Sequence, residues 1–133
     1  MGEKMGHVIV PAGAEPWPHE MRCARALAAS GRDVEFLPLT VGEGAKSADI
    51  QMDGIVWEIK SPETSSLKSL QRVLRRAGHQ SSNVIIDTTR ATKLSDASIV
   101  RELERLAPLT KSIRRLVVIT KSNAIIDVKR SRA

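Results

Sequence analysis

Apolar and polar positions in the first third of the chain predict a helix that is closed by a glycine. The segment from Pro18 to Ala28 has helical spacing, and Gly31 follows it as a helix stop signal. Cys23 and Leu27 lie on one apolar stripe of this helix, and Glu20 falls on the same stripe by its i, i+3, i+7 spacing. The pattern therefore predicts a carboxylate on the buried side of the helix.

The rest of the chain alternates between strand and helix patterns. Serines that can cap a helix precede two further apolar stripes with helical spacing, and β-branched runs mark the strands. The predicted elements are a strand at Val34–Leu37, a hairpin within Ala48–Lys60, a helix at Leu67–Ala77, a strand at Asn83–Asp87, a helix from Ser95 to Leu106, and strands at Leu116–Thr120 and Ala124–Val128. This order predicts an α/β fold with a mixed central β-sheet flanked by helices.

Length and composition favour one soluble domain. With 133 residues, of which 41% are apolar, the chain suits a single domain over 1–133, with an N-terminal loop at 1–16 and a frayed tail at 129–133. No apolar run approaches the roughly 20 residues that span a bilayer, so no membrane association and a cytosolic site of action are expected.

The single cysteine, Cys23, excludes an intrachain disulfide and is expected in the core. His7, His19 and His79 lack metal-ligand spacing and are expected on the surface or in loops.

The hairpin segment has the sequence ADIQMDGIVWEIK and carries the candidate chemistry. Asp53-Gly54 in its middle is a strong two-residue turn signal, and this turn would place Asp49 directly opposite Glu58. Because side chains alternate along a strand, Glu58 and Lys60 would share the face of Asp49. Two carboxylates and an amine are therefore expected to converge.

These three side chains suit phosphodiester hydrolysis assisted by a divalent metal. Carboxylates are hard ligands for such ions, and a neighbouring lysine can orient or deprotonate water or stabilise charge on the phosphate. The alternative is that Glu58 and Lys60 form the solvated face of an amphipathic hairpin, opposite Asp49 by chance. Opposed like charges destabilise a strand pair unless a cation or proton lies between them, which disfavours that alternative.

Charge adds a candidate partner. Lys and Arg exceed Asp and Glu by 21 to 15, and Arg72, Arg75 and Arg76 lie on a predicted basic helix. This favours a polyanion such as nucleic acid, although a solvated basic face would have the same composition. Only three residues are aromatic, so an extended base-stacking platform is not expected. Gln71 falls by its i+4 spacing on the apolar stripe of this helix, where it could face the sheet and position water or substrate, or could simply be a polar residue at the stripe edge.

The hairpin motif resembles the core of the CdiA C-terminal tRNA nuclease family, which comprises toxins of contact-dependent growth inhibition. The similarity covers most of the chain from about His19 onward, and the hairpin is its specific part. The motif residues are Ala48-Asp49-Ile50, Asp53-Gly54 and Trp57-Glu58-Ile59-Lys60-Ser61-Pro62, followed by Leu70-Gln71-Arg72, Gln80, Asn83–Asp87, Val117–Thr120 and Ile125–Asp127.

The resemblance implies a PD-(D/E)xK fold and a divalent metal ion (Mg, Mn or Zn). In that family a glutamate of the first helix joins the sheet acids at the metal, and Glu20 matches its position; without the resemblance, Glu20 is a helix N-terminal carboxylate favoured by the helix dipole. Ala48 stands where the superfamily has a proline. The implied metal ligands are Glu20, Asp49 and Glu58, with Lys60 and Gln71 completing the catalytic set.

The expected function is that of a metal-dependent ribonuclease, in particular a tRNA-cleaving toxin delivered into the cytosol of a target bacterium. The expected partners are tRNA and a cognate immunity protein whose acidic surface covers the basic cleft. A DNA endonuclease with the same acids and the same fold is one alternative. A catalytically inactive nucleic-acid-binding module is the other.

Overall fold

The computed structural model of the protein describes residues 5–38 and 49–130, with Asp49 described by its backbone alone. Residues 39–48, which include Ala48 of the motif, and the tail residues 131–133 lie outside this part of the chain. The elements are β1 (Val8–Ile9), α1 (Pro18–Ala29), β2 (Val34–Phe36), β3 (Asp49–Met52), β4 (Ile55–Lys60), α2 (Leu67–Gln80), β5 (Asn83–Asp87), α3 (Asp96–Leu106), a 3₁₀ turn (Ala107–Leu109), β6 (Arg115–Ile119) and β7 (Ile125–Lys129).

Within the described residues the strands form one mixed sheet whose spatial order follows the chain from β1 to β7. β4, β5 and β6 are parallel and are connected by α2 and α3, while β3 with β4 and β6 with β7 pair antiparallel. At the other edge β1 runs parallel to β2, and β2 runs antiparallel to β3. The predicted α/β architecture with a mixed central sheet is confirmed.

Helices cover both faces of this sheet. α1 packs on one face against Phe36, Ile50 and Trp57, whereas α2 and α3 pack on the other against Val84 and Ile86. Because β5 is covered on both faces, its residues from 84 to 87 are all buried, as expected for a central parallel strand. Within the described residues, no helix combines the length and apolar character needed to cross a membrane.

Side chains at the helix starts explain where the helices begin. The hydroxyl of Ser66 accepts the Ser69 amide at 3.2 Å, and the hydroxyl of Ser95 accepts the Ser98 amide at 3.1 Å, so both predicted caps are confirmed. α1 has Pro18 at its first position, where a missing amide hydrogen has no consequence for the helix.

The two chain ends are more structured than the sequence predicts. The expected N-terminal loop contains β1, which extends the sheet by pairing Val8 with Val34. The predicted tail starts at Lys129, but Lys129 is the last residue of β7. The Nζ of Lys129 donates to the carbonyls of Ala107 at 2.9 Å and Thr110 at 3.3 Å. Both chain ends are ordered by strand pairing with segments that are distant in sequence, and the local sequence pattern cannot predict such pairing.

Candidate active site

The hairpin that carries the predicted acids has the predicted register. Asp53 and Gly54 form the turn with φ angles of 52° and 82°, a left-handed pair that the Asp-Gly sequence favours. Asp49 pairs with Glu58 across the two strands, as predicted. β3 begins at Asp49, opposite Glu58, whereas β4 continues for two more residues to Lys60.

Glu58 and Lys60 form a largely buried ion pair at that end of β4. Lys60 Nζ lies 3.5 Å from Glu58 Oε1, and the side chains of Lys60 and Glu58 are 19% and 8% exposed. Their register partners on β5 are Ile86 and Val84, which belong to the core on the face of α2 and α3. The prediction that they share one face is confirmed, whereas the alternative of a solvated hairpin face is wrong for both residues.

Glu20 approaches from the opposite face of the sheet on the first turn of α1. It is 6% exposed, and its Oε1 accepts the backbone N–H of Trp17 at 2.7 Å. The buried position predicted from the helical stripe is confirmed. The carboxylate therefore caps the N-terminus of α1, where the helix dipole favours a negative charge.

A cavity of about 230 Å³, here called the site cavity, lies at the carboxyl end of β4 and is reached from both faces of the sheet. Glu20 lines it from α1, Lys60 from β4, and Arg76 from α2. Arg90, which follows β5, also lines it and pairs with Glu63. The full lining consists of His19, Glu20, Ile59, Lys60, Ser61, Pro62, Val73, Arg76 and Arg90. Among the described residues, three cations and one carboxylate thus line this cavity, and two of the cations, Lys60 and Arg90, are paired with Glu58 and Glu63.

A buried hydrogen-bond network holds α1 against the strand ends beside this cavity. Asp87 is fully buried and accepts Ser61 Oγ at 2.9 Å, Thr89 N at 3.1 Å and Arg22 Nη1 at 3.3 Å. Arg22 also donates to the Thr120 carbonyl at 3.2 Å, beyond β6. The network fixes the first turn of α1, and with it Glu20, relative to the end of β4.

Sequence reasoning missed several residues around the site. Arg90 and Arg22 belong to no motif, and the sequence predicts Asp87 only as the end of a strand; the ion pairs of Arg90 with Glu63 and of Arg22 with Asp87 join positions 27 and 65 residues apart. His19 is not a predicted site residue, but it lies within the predicted helix α1 and lines the site cavity half-buried. The sequence offers one signal for His19, its position directly before Glu20, and no local pattern gives the other residues a role at the site.

The three arginines of the predicted basic helix, α2, do not all point toward the site cavity. Arg72, Arg75 and Arg76 are all exposed, but of these Arg76 alone lines the site cavity. Gln71 is half-buried and lines a separate cavity with Arg75, on the other flank of α2. Successive helical residues are about 100° apart, which turns Gln71 away from the flank of Val73 and Arg76. The structure does not bring Gln71 together with the acids.

Cys23 is part of the core, as predicted. It is fully buried on α1, and burial followed by the nearby Asp87 carboxylate raises the pKa of its thiol far above the ordinary range. The thiolate that nucleophilic catalysis requires is therefore disfavoured.

The donor chemistry of the predicted site fits a hard divalent cation. Among the side chains that the structure describes, no group of three or more His, Cys, Asp or Glu is arranged to hold a metal ion, and the side chain of Asp49 is outside that set. Glu20 and Glu58 supply buried carboxylate oxygens, and oxygen ligands of this kind are the ones that hard divalent cations prefer.

Comparison with known families defines the class of protein. The family described as "Contact-dependent growth inhibition CdiA C-terminal domain" matches residues 46–125, which is more than half of the chain. The match spans the hairpin, α2, β5, α3 and β6. The chain therefore belongs to the CdiA C-terminal domain family, a family of toxin domains, and the resemblance seen in the hairpin motif is confirmed at the level of that family.

A solved structure shares the overall fold. It is a CdiA-CT/CdiI toxin and immunity complex from Burkholderia pseudomallei, with a TM-score of 0.69 and 19% identity, covering 93% of this chain and 99% of that chain. At this identity the similarity shows the fold alone. No curated protein sequence matches the chain.

Proposed function

We propose that the chain is a metal-dependent ribonuclease of PD-(D/E)xK type that cleaves tRNA as a growth-inhibition toxin. The observation that carries this proposal is the buried Glu58–Lys60 pair beside a cavity that Glu20 also lines. Burying such a pair opposes folding unless its geometry is favourable, so its presence at a strand end next to a cavity supports a role in chemistry.

Each side chain has a defined part in this proposal. Glu20, Asp49 and Glu58 are the residues that would hold a divalent cation (Mg, Mn or Zn). When bound, such a cation supplies positive charge that polarises phosphoryl oxygens and lowers the pKa of water. The Lys60 ammonium orients the attacking water and stabilises charge that develops on the phosphate. Arg76, which lines the same cavity, binds the non-bridging phosphate oxygens.

Family membership and the charge of the cavity support the proposed substrate and partner. Similarity to the tRNA nucleases of the family favours tRNA, and a cation-lined cavity favours a polyanion. The structurally similar protein is a toxin and immunity complex. By analogy this chain has a cognate immunity protein, whose acidic surface covers Lys60, Arg76 and Arg90, and it acts in the cytosol of a target bacterium after delivery.

Cleavage assays with purified protein test the proposal. Total RNA, bulk tRNA and duplex DNA are incubated with Mg²⁺, Mn²⁺ or Zn²⁺, and then with chelator. We expect RNA cleavage that needs the metal and stops on chelation. Glu58→Gln and Lys60→Ala should abolish cleavage while the circular dichroism spectrum persists, and the matched control Arg25→Gln, an exposed position on α1, should cleave like the wild type.

The outcomes separate the alternatives. Preferential cleavage of DNA would make the protein a DNA endonuclease. Salt-sensitive RNA binding without cleavage under any metal would make it a nucleic-acid-binding module. Cleavage that persists in chelator would overturn the metal mechanism.

A further inference from the structure

The net positive charge of the chain comes from two stretches that contain no acidic residue. Residues 64–86 and 105–126 together hold nine of the 21 Lys and Arg residues and none of the 15 Asp and Glu residues. The rest of the chain contains twelve basic and fifteen acidic residues. The net charge of +6 therefore originates entirely from these two stretches.

The two stretches meet in space on one flank of α2. Gly78 on α2 approaches the loop after the 3₁₀ turn so closely that a Cβ there would lie 2.7 Å from Ser112 Oγ. Beside this approach is a second cavity of about 280 Å³. It is lined by Gln71, Leu74, Arg75, Leu106, Leu109, Thr110, Lys111 and Ser112.

The lining of the second cavity suits an anion. Arg75 and Lys111 supply two cations, Gln71 and Ser112 supply neutral donors, and none of the described residues that line it carries a carboxylate. Behind the loop, the Lys129 ammonium donates to the Thr110 carbonyl at 3.3 Å and adds to the positive potential. The nearby α3 carboxylate of Glu102 is neutralised by Arg105 at 2.7 Å.

α2 separates the second cavity from the site cavity, and its arginines connect the two. Arg75 and Arg76 are consecutive, yet each lines a different cavity. Arg72 is exposed one helical turn earlier, and its i+3 and i+4 spacing makes it a neighbour of Arg75 and Arg76 on the helix surface. The exposed ridge of α2 is thus a continuous cationic path from one cavity to the other.

We propose that the second cavity binds a backbone phosphate of the same RNA whose scissile phosphate occupies the site cavity, so that the substrate lies across α2. The identity of the occupant as RNA rests on the proposed function. A protein occupant would require acidic side chains in matching positions, whereas a nucleic acid presents phosphates at regular intervals along its backbone, which matches an extended cationic path between two cavities.

Binding measurements test this without relying on cleavage. Bulk tRNA is titrated into the full chain carrying Glu58→Gln, so that the RNA stays intact, over a series of salt concentrations. Adding Arg75→Gln and Lys111→Gln together should weaken binding by about tenfold or more. The slope of log affinity against log salt should fall by roughly two, because each of the two removed cations would otherwise neutralise one phosphate. The charge-matched control Arg25→Gln with Arg101→Gln changes two exposed residues outside both stretches and should retain the parent slope.

The results separate this inference from the proposed function. Equal slopes for the double variant and its control would overturn the second phosphate site, even if the wild type cleaves RNA. Loss of affinity for an acidic partner protein with unchanged tRNA affinity would also overturn it, and would assign the surface to that partner. A reduced tRNA slope supports the site even if the wild type cleaves nothing, a result that would reject the nuclease proposal alone.

Discussion

Glu20 has two separable roles at the residue scale. Its carboxylate caps α1 by accepting the Trp17 amide, and it also lines the site cavity as a proposed metal ligand. An amide side chain retains an oxygen that can accept the same hydrogen bond but has no charge. The two roles can therefore be measured in one pair of variants.

We expect Glu20→Gln to lower the unfolding free energy by less than about 1 kcal/mol, while RNA cleavage falls by at least about 100-fold. Glu20→Ala should lose the cap as well and be destabilised by about 1 kcal/mol more. Urea unfolding and initial cleavage rates measure the two effects. Cleavage by Glu20→Gln at the wild-type rate would leave capping as the role of this residue.

Asp96 shows how a single carboxylate connects two loops at the same end of the sheet. Burial raises the pKa of Asp96, but hydrogen bonds from Thr88 and from the Lys121 backbone outweigh burial, and the net pKa is lowered. Thr88 Oγ1 donates to it at 2.6 Å and Lys121 N at 3.1 Å. A lowered folded pKa means that the charged form stabilises the fold at neutral pH.

Asp96→Asn should therefore reduce the unfolding free energy by about 1 kcal/mol at pH 7. This contribution is fully present above the ordinary aspartate pKa of about 3.9, and it disappears as the pH falls through the lowered folded value. Chemical unfolding of both proteins at several pH values measures the difference. Glu104→Gln, which alters an exposed carboxylate on the same helix, should show no comparable effect, and a difference that stays constant down to about pH 2 would contradict the explanation.

At the scale of secondary-structure elements, local sequence predicts the hairpin well and the surroundings of the cavity poorly. A two-residue turn fixes which residues oppose one another, so Asp53-Gly54 is sufficient to predict the pairing of Asp49 with Glu58. The flank of α2 that faces the cavity depends on how the helix docks on the sheet. For that reason pattern alone cannot distinguish Arg76 from its neighbouring arginines on α2, and it gives no indication of Arg90.

The turn itself gives a test at this scale. Gly54 has φ of +82° and no heavy atom within 4 Å of a would-be Cβ, so Gly54→Ala should be destabilised by backbone conformation alone, by about 1 kcal/mol. Asp53→Asn should be nearly neutral, because asparagine tolerates the left-handed region. Urea midpoints at unchanged m-value measure both changes. Equal stability of Gly54→Ala and wild type would contradict the assigned turn geometry.

At the scale of the whole molecule, family membership and charge distribution converge on one expectation in cells. Since the chain belongs to a family of toxin domains, its proposed activity should be harmful wherever its inhibitor is absent.

The fold class could be predicted because strands and helices alternate clearly along the chain. The approach of α1 and α2 to the same cavity from opposite faces of the sheet could not, since it depends on packing between distant segments.

We expect induced expression of the wild-type chain to arrest growth of bacteria that lack an immunity protein, because tRNA would be depleted. Glu58→Gln should relieve the arrest at equal protein level, while Arg25→Gln should not. Colony counts after induction, with tRNA examined on gels, measure the effect. Normal growth with soluble wild-type protein would count against the toxin assignment.

The network around Asp87 makes the site a product of complete folding. It joins Arg22 to Asp87 and to the Thr120 carbonyl, contacts that span 65 and 98 positions of the chain. These partners are distant along the chain and are brought together by the fold. An unfolded chain would therefore lack the assembled site, and the proposed cleavage would be confined to the folded protein.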